Sequence, residues 1–235
     1  MLKQIKNFCL DILFPIECIS CGDEGKFLCD HCFLDIELNE KQDCPKCHKT
    51  TKLGNFCKDC EKTSRLNGII VSATYENDLL QKAIHTLKYK YIQDLSKPLS
   101  KILIFGLKKT IFKEKIDHEF IILPIPLHKN RLRERGFNQS ELLCIEVAKY
   151  FKLIYLNDVL SRTKKTKSQM SLNPIYRRKN IKGAFFCDKP EFIKNKKIIL
   201  VDDVCTTSAT LEECAKSFYD FGPSEIWGLV LARGK

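Results

Sequence analysis

The sequence predicts an α/β protein: a mainly parallel sheet with helices on both faces, preceded by a small cysteine-dense segment. Three observations carry that reading. From residue 68 on, short apolar runs alternate with amphipathic stretches, the pattern of strand–helix–strand units in a parallel sheet. The runs Ile69–Val71, Phe120–Leu123 and Ile198–Val201 lack polar alternation, so both faces of each strand are expected to be covered. Eight of the 13 cysteines fall into four C-x-x-C pairs within the first quarter of the chain.

At 235 residues the chain has room for one α/β domain and a small appendage. The division falls at residues 1–66 and 67–235. The net charge of +11 is unevenly placed. Residues 1–70 carry 10 Lys and Arg against 11 Asp and Glu, whereas residues 71–235 carry 30 against 18. The basic excess of the larger part suits phosphate-rich ligands, nucleic acid included. No apolar run approaches the roughly 20 residues that span a bilayer, and neither end reads as an export signal. The expected location is cytoplasmic, with peripheral attachment at the inner membrane as the alternative.

In chain order, Leu2, Ile5, Phe8, Cys9, Ile12 and Leu13 recur at helical spacing, and Pro15 stops that helix. Its apolar face is expected to pack on the protein itself, membrane docking being the alternative. The cysteine pairs follow: Cys18/Cys21, Cys29/Cys32, Cys44/Cys47 and Cys57/Cys60. Disulfides at this density belong to exported proteins. Zinc thiolate sites are the simpler reading, since each tight knuckle supplies two ligands and two knuckles complete a tetrahedron. Gly22 and Pro45 stand where such knuckles place these residues. Eight ligands imply two structural zinc ions, paired in sequence or cross-braced; both pairings are open. With few aliphatics, the segment draws its folding free energy from metal. Chelation is therefore expected to unfold roughly the first 60 residues and spare the rest.

A strand over Ile69–Tyr75 precedes an amphipathic helix marked by Leu79, Leu80, Ala83, Ile84 and Leu87. A second helix runs from about Asp94 to Lys109, with the aromatic and basic run His85–Tyr91 between them. Strand Phe120–Leu123 feeds Pro124, Ile125, Pro126 and then a cluster of cations, Lys129, Arg131, Arg133 and Arg135. Ligands of open α/β sheets bind at this edge, and arginine forks match phosphate. A helix over Gln139–Leu153 and short strands at Asp158–Arg162 and Gly183–Cys187 come next. From Ser161 to Cys187 there is no acidic residue, while Arg162, Arg177 and Arg178 and several lysines are present. A cationic stretch of this length inside a domain is more often functional than idle. Glu225–Ala232 is the terminal strand.

Strand Ile198–Val204 ends in Asp202 and Asp203, followed by the small and hydroxyl residues Thr206, Thr207, Ser208, Ala209 and Thr210 and then a helix. Burying two adjacent carboxylates is costly, so the pair is expected to face solvent or ligand at the strand end. The hydroxyls and helix N-terminus make a phosphate cradle. A ligand with a 5-phosphate and a vicinal diol fits both halves.

This stretch resembles the signature of the type I phosphoribosyltransferases. The resemblance implies that Asp202 and Asp203 contact the ribose hydroxyls of phosphoribosyl pyrophosphate, with Mg²⁺, and that Thr206 to Thr210 hold its 5-phosphate. Ser208 stands where glycine is common. The run from Pro124 to Gln139, P-I-P-L-H-x-x-R-x-x-x-R-G-F-N-Q, together with the cysteine pairs, resembles the ComF competence family over nearly the whole chain. That family combines a double zinc ribbon with a phosphoribosyltransferase domain and is associated with natural transformation, in which single-stranded DNA enters the bacterial cytoplasm. The resemblance assigns pyrophosphate contacts to Lys129, Arg131 and Arg135. It also likens the region of Arg162, Gln169, Arg177 and Arg178 to the mobile loop that closes over pyrophosphate.

Two readings follow for the chain. One is a DNA-uptake protein that binds single-stranded DNA and phosphoribosyl pyrophosphate, with other competence proteins as partners. The other is an active Mg²⁺-dependent phosphoribosyltransferase with no direct DNA role. No general base stands out, so no catalytic residue is assigned. Some purine-using relatives place an acid at the position of Thr206, which this chain does not. The DNA reading draws on Tyr89, Tyr91, Phe137 and Tyr176 among the cations, since bases stack on aromatic faces.

Overall fold

In the computed structural model, which describes residues 15–110, 120–164 and 174–234, the cysteine-dense segment folds into two small lobes. The amphipathic stretch 1–14 and Gln169 lie outside the described residues, as do the side chains of Arg177 and Arg178. The first lobe carries helix α1 (Asp30–Leu34), capped by the Cys29 side chain. The second carries the antiparallel pair β1 (Gln42–Asp43) and β2 (Thr50–Thr51) and helix α2 (Lys58–Glu61).

From Gly68 the chain alternates strand and helix. Strand β3 (Gly68–Ala73) leads to α3 (Asp78–Tyr89), whose first turn is capped by Asn77 accepting from the Leu80 N–H at 2.8 Å. The helix extends through His85–Tyr89, further than the aromatic run suggests. A 3₁₀ turn (Gln93–Leu95) and α4 (Ser96–Lys109) follow. Strand β4 (Phe120–Pro124) is followed by α5 (Lys129–Arg135), so the cations after the prolines lie on a helix rather than in a loop. His128 caps it, and Gly136, at φ +79°, closes it with an N–H to the Leu132 carbonyl at 2.8 Å. Then come α6 (Gln139–Phe151), β5 (Ile154–Tyr155), β6 (Leu160–Arg162), α7 (Pro174–Ile181), β7 (Phe185–Cys187), β8 (Lys197–Cys205), α8 (Ala209–Phe218) and β9 (Glu225–Arg233).

Five strands form one all-parallel sheet in the order β3-β9-β8-β4-β5. Strand periodicity divides its side chains between two cores. Ile70, Ile122, Ile199, Val201 and Leu229 pack with α3, α4 and α6 on one face. Ile69, Ile121, Ile198, Leu200 and Val230 pack with α8 on the other. That double burial is why the strands read as continuous apolar runs. The short strands β6 and β7 leave the sheet and pair antiparallel with each other beside the second face.

The two lobes straddle the sheet's β3 edge. Cys18, Leu28, Cys32 and Ile36 belong to the first core, while Cys44, Phe56, Cys60 and Leu66 belong to the second. Between them, lobe backbone and amide groups satisfy the outer edge of β3. Gln42 accepts from the Val71 N–H at 3.0 Å and donates to the Val71 carbonyl at 2.9 Å. Isolated antiparallel bridges join Leu38 to Ala73 and Asn55 to Gly68. The approach is close enough to demand glycine: a Cβ on Gly54 would lie 2.2 Å from the Ile69 carbonyl oxygen, at φ +77°. The lobes thus cover what would otherwise be an exposed strand edge. The expected small appendage is tied closely to the sheet, because both lobes bury their apolar residues in the sheet's own cores.

Candidate functional site

The C-terminal end of β8 opens into a cleft of ≈ 370 Å³. Asp202, Asp203 and every residue from Thr206 to Thr210 line it. Of the two expected settings, solvent or ligand, the acidic pair takes the second: it lines the cleft and does not stand free in solvent. Asp203 is only 3 % exposed, and its Oδ2 meets the Lys88 ammonium of α3 at 2.5 Å. That cation offsets the cost of burying the carboxylate, which corrects the sequence argument that burial would be avoided. Asp202 is half-buried, and its Oδ1 accepts from the Ser140 hydroxyl and from the Asp203 N–H, both at 2.9 Å. Burial, and then the neighbouring Asp203 charge, push its carboxyl up to about 7.

The loop after β8 delivers α8 N-terminus first into the cleft. A helix N-terminus presents unsatisfied N–H groups and the positive end of its dipole. Thr206, Thr207 and Thr210 are half-buried around it. Ser208 occupies the helix N-cap with φ +58° and ψ 2°, the left-handed conformation a glycine takes without strain. Its side chain makes no cap bond, and the buried Oγ has no hydrogen-bond partner among the described residues. The structure thereby explains why glycine suits this position: serine holds the same geometry at a steric cost.

Three arginines complete the cleft. Arg131 and Arg135 come from α5, and Arg162 comes from β6. Arg135 bonds the Gln139 amide oxygen and lies 5.7 Å from the Tyr89 ring centroid. Burial pulls Arg162 below the ordinary guanidinium value, with Cys214 and Asp202 opposing that shift. Lys129 starts the same helix as Arg131, is exposed and is not among the residues lining the cleft. Sequence reasoning missed the α3 wall, where Gln81, His85, Lys88 and Tyr89 face the acidic pair and the arginines. The aromatic and basic run was the available signal, but its pairing with Asp203 is a long-range contact with no local trace.

Phe137 corrects the list of exposed aromatics: it is buried in the first core, since it follows the α5 cap and anchors the start of α6. Tyr89, Tyr91 and Tyr176 are exposed.

The cysteines gather as two tetrads, Cys18/Cys21/Cys29/Cys32 and Cys44/Cys47/Cys57/Cys60, which decides for sequential over cross-braced pairing. Within each tetrad the sulfurs lie within 4.8 Å of one another, and Cys21–Cys29 and Cys47–Cys57 are both 3.6 Å apart. Tetrahedral zinc with Zn–S bonds of 2.3 Å requires about 3.8 Å between sulfurs. Burial pushes the Cys18 and Cys44 thiols up, but backbone N–H donors outweigh it and hold both at about 6. Among these donors, the Cys29 and Cys57 N–H groups lie 3.4 Å from the Cys18 and Cys44 sulfurs. Both tetrads fit structural zinc.

The comparisons with known proteins agree. A family model described as the double zinc ribbon domain matches residues 9–61. Competence protein F of Haemophilus influenzae is 27% identical over 225 residues, covering 88% of this chain and 97% of that protein. Competence protein ComFC of Bacillus subtilis is 28% identical over 223 residues, covering 91% of this chain and 82% of that protein. Over most of its length the chain is similar to the ComF competence proteins. The DNA utilization protein YhgH of Escherichia coli O157:H7 is also similar, 28% identical over 194 residues, with 81% and 84% covered. A solved structure of the allosteric regulatory enzyme of purine biosynthesis matches with a TM-score of 0.38 and 13% identity. It covers 58% of this chain and 25% of its own, a likeness too slight to bear on function. No described helix is long and apolar enough to cross a membrane.

Proposed function

We propose that the chain serves DNA uptake in natural transformation, binding phosphoribosyl pyrophosphate in the cleft and single-stranded DNA on the basic surface around it. The observation that carries this reading is the convergence, in one ≈ 370 Å³ volume, of the acidic pair, a hydroxyl-rich helix N-terminus and three arginines. The 5-phosphate sits on the N–H groups of the loop from Thr206 to Thr210 and on the hydroxyls of Thr206, Thr207 and Thr210. Asp202 and Asp203 accept from the ribose hydroxyls, and Arg131, Arg135 and Arg162 neutralise the pyrophosphate. Mg²⁺ would enter with the ligand, and the carboxylates of Asp202 and Asp203 would supply oxygen donors suited to this hard cation. The names of the relatives, competence proteins and a DNA utilization protein, support the biological half of the proposal.

Besides the acidic pair, the described lining holds no carboxylate, and its one histidine is His85. That favours a binding role over turnover to a purine-like acceptor. Exposed Tyr89, Tyr91 and Tyr176 are the stacking platforms for DNA bases. Calorimetry with phosphoribosyl pyrophosphate, with and without Mg²⁺, tests the cleft. Asp202→Asn should weaken binding about tenfold, one hydrogen-bonded charge's worth of affinity. Unchanged affinity removes the ribose contact. A pyrophosphate-release assay then reads turnover. Titration of a labelled oligonucleotide at several salt concentrations tests the DNA surface, with a slope of roughly −0.7 per phosphate neutralised.

A further inference from the structure

A second cleft, of ≈ 990 Å³, lies between the phosphate loop and the second zinc ribbon. Thr206 to Ala209 and Gly234 line both clefts, so this stretch is the partition between them. On the ribbon side the wall carries Arg233, from the end of β9. Arg233 stands in register beside Cys205, the residue before the loop, and the Gly234 N–H bonds the Cys205 carbonyl at 2.9 Å. The guanidinium is therefore fixed against the loop's base, where one edge meets the Cys205 thiol.

Two of its nitrogens, Nε and Nη2, are buried without a hydrogen-bond partner among the described residues. The Ser208 Oγ, on a residue 6 % exposed, is equally unsatisfied. Buried donors without acceptors are rare in folded proteins, because each has given up water for nothing. Three of them around one partition call for an acceptor with several oxygens. An arginine fork takes two oxygens of an anion, and a hydroxyl can take a third.

We propose that Arg233 and Ser208 form a site for a phosphate monoester on the ribbon side of the loop, separate from whatever the first cleft binds. Three terminal oxygens match the three donors, where a carboxylate offers two. The rest of the wall argues for a compact ligand rather than a nucleic-acid strand. Asp43, Glu76, Glu212 and Glu213 line the same cleft, against Lys41 and Lys46 as the further cations. A polyanion running through it would meet that acidic wall, while a single phosphate seated at Arg233 does not.

Inorganic phosphate is the probe, titrated into the zinc-loaded full chain by equilibrium dialysis. Thr210→Ala marks the first cleft, which Thr210 alone of this pair of positions lines. Arg233→Met marks the second: it keeps an unbranched stem and removes the orphaned donors. The native chain should hold a phosphate that Arg233→Met weakens at least about tenfold and Thr210→Ala leaves in place. Phosphate should also raise the melting temperature of the native chain and not that of Arg233→Met. Should Arg233→Met fail to fold, Arg233→Lys decides, since it keeps the charge and loses the fork. The proposal is overturned if the folded Arg233 variant binds phosphate as the native chain does, if only Thr210→Ala loses it, or if the native chain takes up none at millimolar phosphate.

Discussion

The ribbon lobes and the sheet hold their shapes by different means. Between residues 15 and 66 two cysteine tetrads organise short elements, and the few aliphatic residues there point into cores that belong to the sheet. The sheet, by contrast, closes two cores of its own with helices on both faces. Yet its edge strand β3 finds hydrogen-bond partners in the lobes, through Gln42, Leu38 and Asn55. The difference teaches that metal fixes local geometry while apolar burial decides where that geometry is attached. Each part supplies what the other lacks.

Removing zinc is the harshest way to break this arrangement. Structural zinc in such sites contributes on the order of 10 kcal/mol. Chelation should unfold both lobes and, because β3 loses its outer partners, strip hydrogen-exchange protection from the amides of Gly68–Ala73. Full protection of β3 in the zinc-free chain would show that the lobes are independent after all.

How far these dependencies were legible in the sequence follows from the range of the forces involved. The tetrads are readable because C-x-x-C spacing is local chemistry, and β4 and β8 are readable because double burial leaves an unbroken apolar run. The acidic pair, hydroxyl loop and arginines are legible as a site because all lie at or just beyond strand ends. Four things escape. Helix α5 begins only after the second proline, so the proline signal masks it. Strand β5 is two residues long, too short for any period. Lys88 meets Asp203 across the fold, and no local pattern records a contact between residues so far apart in the chain. The docking of both lobes on β3 is invisible for the same reason.

A second prediction strikes the sheet and spares the ribbons. Asp203→Asn leaves the Lys88 ammonium half-buried without its counter-ion, which costs roughly 3–5 kcal/mol when a buried pair is broken. Thermal melting should register a large loss while metal analysis still finds both zinc ions. A melt like that of the native chain would mean that Lys88 simply swings into solvent.

Asp202 should behave more gently and through pH. Its carboxyl titrates near 7 in the fold, against about 4 in an unfolded chain. Between those values the folded state holds the extra proton, so this group makes stability fall as pH rises from about 4 to about 7. Melting temperature followed across that window should decline less steeply in Asp202→Asn than in the native chain. Parallel profiles would assign the slope to other groups.

The smallest effect belongs to the loop. Ser208→Gly relieves a left-handed serine and removes a buried, unpartnered hydroxyl, at the expense of a more flexible unfolded chain. A net gain of about 1 kcal/mol is expected, read as a melting point a few degrees higher. A loss would mean that the hydroxyl is engaged.

The strand order has a consequence for how the protein is made. Strand β3 is the first of the sheet to leave the ribosome and β9 the last, yet β9 lies between β3 and β8 and, among the described residues, is the only sheet strand paired with β3. The zinc lobes can therefore assemble early on a strand that has no neighbour, while β8 and β4 form a separate nucleus downstream. Until Glu225–Arg233 slides between them, Ile69, Ile70 and Val71 have one side of their strand open, the kind of unpaired edge that draws nascent chains into wrong partnerships. Shortening the chain into this last strand would take away its middle, leaving a metal-bound head and a half-sheet with nothing to join them.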